Sequence, residues 1–258
     1  MSNNTSILAT AENETYKKAV ADFKSKLFKK PQGPEYPAIM VVGPSGSGKS
    51  NCFRNLPPDQ TALINVEDKV FPFPIKPFEE NYITGIMDSS PVEEALKMYK
   101  DDPRIKYIGM DSFTMYTNLL YDKARKVKQG WDIQNLHNDT LFEFFKLIKS
   151  IKNKFVIVTA IDELLSETTV TGASVRSRKA FVNGKKFEGK IEHQFTVVMF
   201  SEVKPIPGKP GEFDYIFNTN TDGTTAAKSP PNLKLARIIP NDIKIVCDAF
   251  EKSLLEVK

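Results

Sequence analysis

The chain has 258 residues, of which 40% are hydrophobic and 26% charged, with a formal net charge of +4. That length holds one α/β domain with a full core and a small appendage, and the mildly basic balance permits contact with nucleic acid without demanding it. No apolar run reaches the roughly 18 residues that would cross a bilayer, so a membrane partner is not expected.

The N-terminus is polar and lacks the apolar stretch of a secretion signal, which points to a cytosolic protein. Cys52 and Cys247 lie far apart and match no metal or disulfide spacing, so both read as buried free thiols in a reducing compartment. There is no internal repeat and no low-complexity tract.

Residues 1–9 read as loose chain. Over 11–30, Tyr16, Val20, Phe23 and Leu27 share one helical face, and Pro31-Gln32-Gly33-Pro34 ends that helix. Residues 1–34 therefore read as an arm before a main domain over 35–258. Residues 38–42 form a short buried strand, followed by a glycine-rich turn and a brief helix that stops before Pro57-Pro58. A second strand covers 61–66, and 71–78 is proline-interrupted loop. Ser90 caps a helix with Pro91 in its first turn. A third strand covers 105–110 and ends in Asp111. Helices follow over 113–127 and 132–152, then a fourth strand over 155–160.

Beyond it, Asn183-Gly184 signals a hairpin, strands cover 195–203 and 213–219, and a last helix covers 242–257. Strands alternating with helices predict an α/β fold with a mostly parallel sheet flanked by helices, followed by an antiparallel C-terminal extension.

The run Gly43-Pro44-Ser45-Gly46-Ser47-Gly48-Lys49-Ser50 fits the phosphate-loop pattern G-x-x-x-x-G-K-[ST] in full, between a strand and a helix. Glycines let backbone N–H groups turn inward around phosphates, and a helix start favours negative charge. Residues 43–51, ending with Asn51, are thus the expected triphosphate site. Lys49 would reach the β- and γ-phosphates, and the Ser50 hydroxyl would hold Mg²⁺. Such a loop needs an acidic residue at the end of a neighbouring buried strand, and Asp111 supplies one, a position that could equally cap the following helix. The next residue is serine, so a carboxylate to orient water must come from elsewhere. Glu67 and Asp68 end the second strand, and Glu67 is the expected general base.

With those positions in hand, the order of parts resembles the RecA-like ATPase core, and more closely the small phage-encoded RecA-like proteins implicated in single-strand annealing. The resemblance spans roughly 36–240. It implies a RecA-like P-loop fold, ATP with Mg²⁺ as cofactors, ATP hydrolysis and single-stranded DNA as ligand. Self-association, a single-strand-binding protein as a further partner and the cytoplasm of a bacterial host are also implied. In that family the catalytic glutamate ends the strand after the phosphate-loop helix, which Glu67 matches, while Asn65 stands where an aspartate is common. Thr159 occupies the region of a polar sensor residue.

Two DNA-contacting loops are implied. The first holds Lys126, Lys128 and Trp131. The second, over 161–190, holds Arg176, Arg178, Lys179, Phe181, Lys185 and Lys186. Cations and exposed aromatics are the composition that single strands require. Lys228 is the expected cation reaching a neighbour's nucleotide. A nucleotide or small-molecule kinase, with Arg176 and Arg178 as lid arginines, and a GTPase are the competing expectations.

Overall fold

The computed structural model describes residues 14, 16–18, 20, 22, 34–168, 174–184 and 186–256. The chain divides into two compact units, Met1–Pro34 and Glu35–Lys258. In the first, the described residues are helical, and Tyr16 is exposed. Phe23 and Leu27 of the expected apolar face lie outside the described residues.

The second unit is built on an eight-stranded sheet in the order β10-β9-β8-β1-β5-β4-β2-β3. Its strands are β1 (Ala38–Val42), β2 (Thr61–Asn65), β3 (Tyr82–Ile83), β4 (Tyr107–Asp111), β5 (Phe155–Ala160), β8 (Val197–Pro205), β9 (Phe213–Asn218) and β10 (Ile238–Pro240). The segment from β8 through β1, β5, β4 and β2 to β3 is parallel, and β9 and β10 extend it antiparallel. The fold is thus α/β with a mostly parallel central sheet and an antiparallel extension. A separate ribbon pairs β6 (Asp162–Thr168) with β7 (Ser174–Ala180).

Strand alternation explains why both faces are covered. Met40 and Val42 of β1 face a core shared with α1 (Ser90–Asp101), α2 (Phe113–Val127) and α3 (Trp131–Ser150), including Leu96, Phe113 and Phe144. Ile39 and Val41 face the opposite core, which contains Phe53, α4 (Ile243–Glu256) through Ile243 and Val246, and both cysteines. Cys52 and Cys247 are buried and free. A strand buried on both faces reads as a continuous apolar run, as β1 and β5 do.

Several local expectations change. The turn after β1 leads into a 3₁₀ helix of only four residues, Ser50–Phe53. Another 3₁₀ helix, Lys76–Asn81, overlaps the expected loop and feeds the short β3. Ser89, not Ser90, occupies the cap position of α1, and the Ser90 N–H donates to Asp88 Oδ1 at 2.8 Å. Asn183-Gly184 is not a hairpin turn, because residues on both sides of it dip into the core: Val182, Phe187 and Ile191 are buried. The antiparallel pairing instead joins β6 to β7, with Thr168 opposite Ser174. Among the described residues, no helix is long and apolar enough to cross a membrane.

Candidate functional site

The turn from Gly43 to Lys49 leaves the end of β1 and is held from beneath by the C-terminal extension. Ser201 on β8 donates its hydroxyl to the Ser47 carbonyl at 2.5 Å. Asn241, just after β10, donates its amide to Ser201 Oγ at 2.7 Å and approaches the Ser47 carbonyl at 3.4 Å. Arg54 Nη1 donates to the Asn241 carbonyl at 2.6 Å, tying the short helix to the same support. A Cβ on Gly43 would stand 2.6 Å from the Ser201 carbonyl, so only glycine fits where the turn meets β8. Gly48 sits at φ 88°, a conformation that other residues adopt at a cost.

Lys49 is only 8% exposed, and its ammonium donates to the carbonyls of Gly43 and Pro44, both at 2.8 Å. Burial lowers its pKa, while Asp111, Glu67 and Asp162 oppose that shift by favouring the charge. The lysine therefore closes over its own loop, with carboxylates on the facing strands.

Asp111 ends β4 and is 6% exposed. β5 lies between β1 and β4, with Val41 beside Thr159 and Met110 beside Val158, so the Thr159 hydroxyl meets and donates to Asp111 Oδ1. Burial pushes the Asp111 carboxyl up, against hydrogen bonds from Ser50 and Thr159 that favour its ionised form. The helix cap falls to Ser112, whose Oγ accepts from the Met115 N–H at 3.4 Å, so Asp111 is not used for capping. The Asp111–Ser112 peptide is cis.

Ser112 also donates its hydroxyl to Glu67 Oε1 at 2.7 Å, and Lys69 Nζ donates to Glu67 Oε2 at 2.8 Å. Burial raises the Glu67 pKa, but these two hydrogen bonds and the charges of Lys69 and Lys49 outweigh it and leave the carboxyl below its usual range. Glu67 is therefore ionised at neutral pH. The turn that presents it is fixed by Asn65, whose amide donates to the Lys69 carbonyl at 2.8 Å and to the Tyr82 hydroxyl at 2.7 Å. Asp68 turns away, accepting from Thr84 Oγ1 at 2.6 Å and from the Gly85 N–H at 3.1 Å. Of the two carboxylates that follow β2, only Glu67 lines the cleft.

These segments enclose a cleft of about 430 Å³. Ser45, Gly46, Gly48, Lys49, Ser50 and Asn51 form its floor, Glu67, Lys69 and Asp111 stand at one side, and Pro72, Ile161 and Tyr215 complete the lining. Gly43, Pro44 and Ser47 support the turn without lining the cleft. Its donor set suits a hard cation carried by phosphate oxygens, which needs only one or two protein oxygen ligands, here Ser50 and Asp111. Among the described residues, no group of three His, Cys, Asp or Glu side chains could hold a metal unaided.

The remaining expected residues divide. Lys126 and Lys128 are exposed at the end of α2, and Trp131, opening α3 after Gly130, is 85% exposed. Arg176 and Lys186 are exposed, whereas Phe181 is half-buried. Arg178 departs from the expectation of a free cation: its guanidinium pairs with Asp162 at 2.7 Å and Glu202 at 2.8 Å, over the Phe200 ring. It fastens the root of the ribbon. Lys179 alternates to the other ribbon face, opposite Glu163. Lys185 lies outside the described residues. Lys228 is half-buried in a bridge with Val198, where burial lowers its pKa against the pull of Glu192, and it does not line this cleft.

Sequence reasoning missed Lys69, Ser201, Tyr215 and Asn241. Asn241 lies 194 positions from Ser47, and no local motif spans that separation. Replacing it with alanine leaves the Ser201–Ser47 pair without its lower partner. Asn241→Ala should lower unfolding stability by about 1–3 kcal/mol in denaturant titrations; an unchanged midpoint would show that the extension does not hold the turn.

Neither a known family model nor any curated protein matches this chain, so the functional reading rests on the geometry of the cleft.

Proposed function

We propose that this protein is a RecA-like P-loop ATPase that binds ATP with Mg²⁺ and acts on single-stranded DNA as an assembly of several copies. One observation carries the reading. Lys49, Ser50, Glu67 and Asp111 come from three separated segments and line one cleft, at the ends of strands ordered β1-β5-β4-β2.

In this reading the triphosphate lies along the turn, and Lys49 exchanges its two loop carbonyls for phosphate oxygens. Ser50 and Asp111 would hold the magnesium ion, which supplies charge neutralisation at the phosphates. Glu67, kept ionised and oriented by Ser112, takes the proton of the attacking water as the bond from the γ-phosphorus to the ADP oxygen breaks. Thr159 holds Asp111 in place. Glu67 also orients that water, and the hydrogen bonds that both its oxygens already accept keep its basicity modest. Glu67→Gln should retain ATP binding and lose hydrolysis by about 10²-fold or more in phosphate-release assays; normal turnover would remove Glu67 from the mechanism.

The DNA reading rests on the exposed Trp131 beside Lys126 and Lys128. Trp131 is left 85% exposed, and cations flanking an aromatic face suit an unpaired strand. Arg176 and Lys186 supply further exposed charge. Fluorescence anisotropy of labelled single-stranded DNA should show ATP-dependent, salt-sensitive binding, weakened about tenfold in Trp131→Ala. Binding that ignores both nucleotide and Trp131 would contradict this part of the reading.

A further inference from the structure

Among the described residues Tyr215 is the one aromatic side chain lining the cleft, and the residue is 47% exposed. It stands on β9, on the β8 side of β1, whereas Glu67 follows β2 on the other side. The two residues therefore mark opposite ends of the cleft. A triphosphate whose γ end meets Glu67 and Asp111 has its nucleoside end toward Tyr215.

The residue is also anchored through its main chain. Its carbonyl accepts from the Asn241 N–H at 3.0 Å, so the residue that supports Ser47 also fixes the root of the tyrosine. The ring edge lies against the phosphate turn itself: a Cβ on Gly48 would come within 2.8 Å of Tyr215 Cδ1. Among the described residues no other aromatic ring stacks on Tyr215, although many buried rings of this protein pair with one another. An aromatic plane at one end of the cleft, anchored at its root and free on its outer part, is what a flat heterocycle needs.

We propose that Tyr215 is the platform on which the nucleobase stacks, so that affinity for the nucleotide comes from the base as well as from the phosphates. This rests on the nucleotide reading above. Stacking and simple propping of Gly48 predict different outcomes, and three variants separate them. Calorimetry with ATP and with inorganic tripolyphosphate, each with magnesium, gives the margin contributed by the nucleoside. The unaltered protein should bind ATP about tenfold or more tighter than tripolyphosphate. Tyr215→Phe should keep that margin. Tyr215→Leu, which retains apolar bulk against Gly48, and Tyr215→Ala should lose it while tripolyphosphate affinity stays unchanged.

A Leu variant that keeps the margin overturns the proposal, as does a parallel loss of tripolyphosphate binding, which would make the ring a prop for the turn. If the unaltered protein binds tripolyphosphate but ATP no more tightly, the platform falls and the phosphate site stands. If it binds neither ligand, both fall.

Discussion

A lysine ammonium held in a nearly closed turn, satisfied by two carbonyls of that same turn, is the interaction around which the rest of this protein is arranged. Burying such a charge is costly unless it is hydrogen-bonded and faced by opposite charge. Both conditions are met here. Gly43 and Pro44 provide the acceptors, and Asp111 and Glu67 provide the facing carboxylates. Those carboxylates in turn carry their own supports, Thr159 and Ser50 for Asp111, Ser112 and Lys69 for Glu67. Glu67 and Asp111 repel each other, as do Lys49 and Lys69, and the attraction between the two signs is set against that repulsion. Burial nonetheless outweighs these contacts at both Lys49 and Asp111, lowering the pKa of the first and lifting that of the second.

The sheet order explains why these groups meet. With β5 between β1 and β4, the turn after β1 and the end of β4 are separated by one strand, and Thr159 bridges the gap. β2 then adds Glu67 one strand further along. On the other flank, the antiparallel extension is more than a sheet edge. Ser201 and Asn241 hold the turn from below, and Tyr215 closes the end of the cleft. The short 3₁₀ helix after the turn gives little support of its own, and Arg54 compensates by anchoring it to the Asn241 carbonyl. The site therefore depends on the C-terminal third of the chain as much as on its best-known motif.

Much of this was legible in the sequence because the controlling signals are local. The glycine spacing of 43–50, the apolar runs of β1, β4 and β5, and a carboxylate closing an apolar strand at Asp111 each act over a few residues. Glu67 could be singled out from Asp68 only weakly, and the geometry that separates them depends on Thr84 and Gly85, which lie sixteen or more positions away. Asn183-Gly184 misled because turn propensity is a local preference, while burial of Val182, Phe187 and Ile191 is a tertiary one that prevails. Arg178 reads as a free cation in a basic segment, and only the approach of Glu202 from β8 shows that its charge is already paired. Asn241 and Tyr215 have no signature at all, since an asparagine before a helix and a tyrosine in a strand have ordinary local explanations.

The central claim is that the turn around Lys49 is a triphosphate site. Isothermal titration of ATP with magnesium into the unaltered protein, and into Lys49→Ala shown by circular dichroism to be folded, tests it most directly. A saturable heat in the first, lost or greatly weakened in the second, is the predicted result. No uptake by the unaltered protein, or equal uptake by both, would contradict the account.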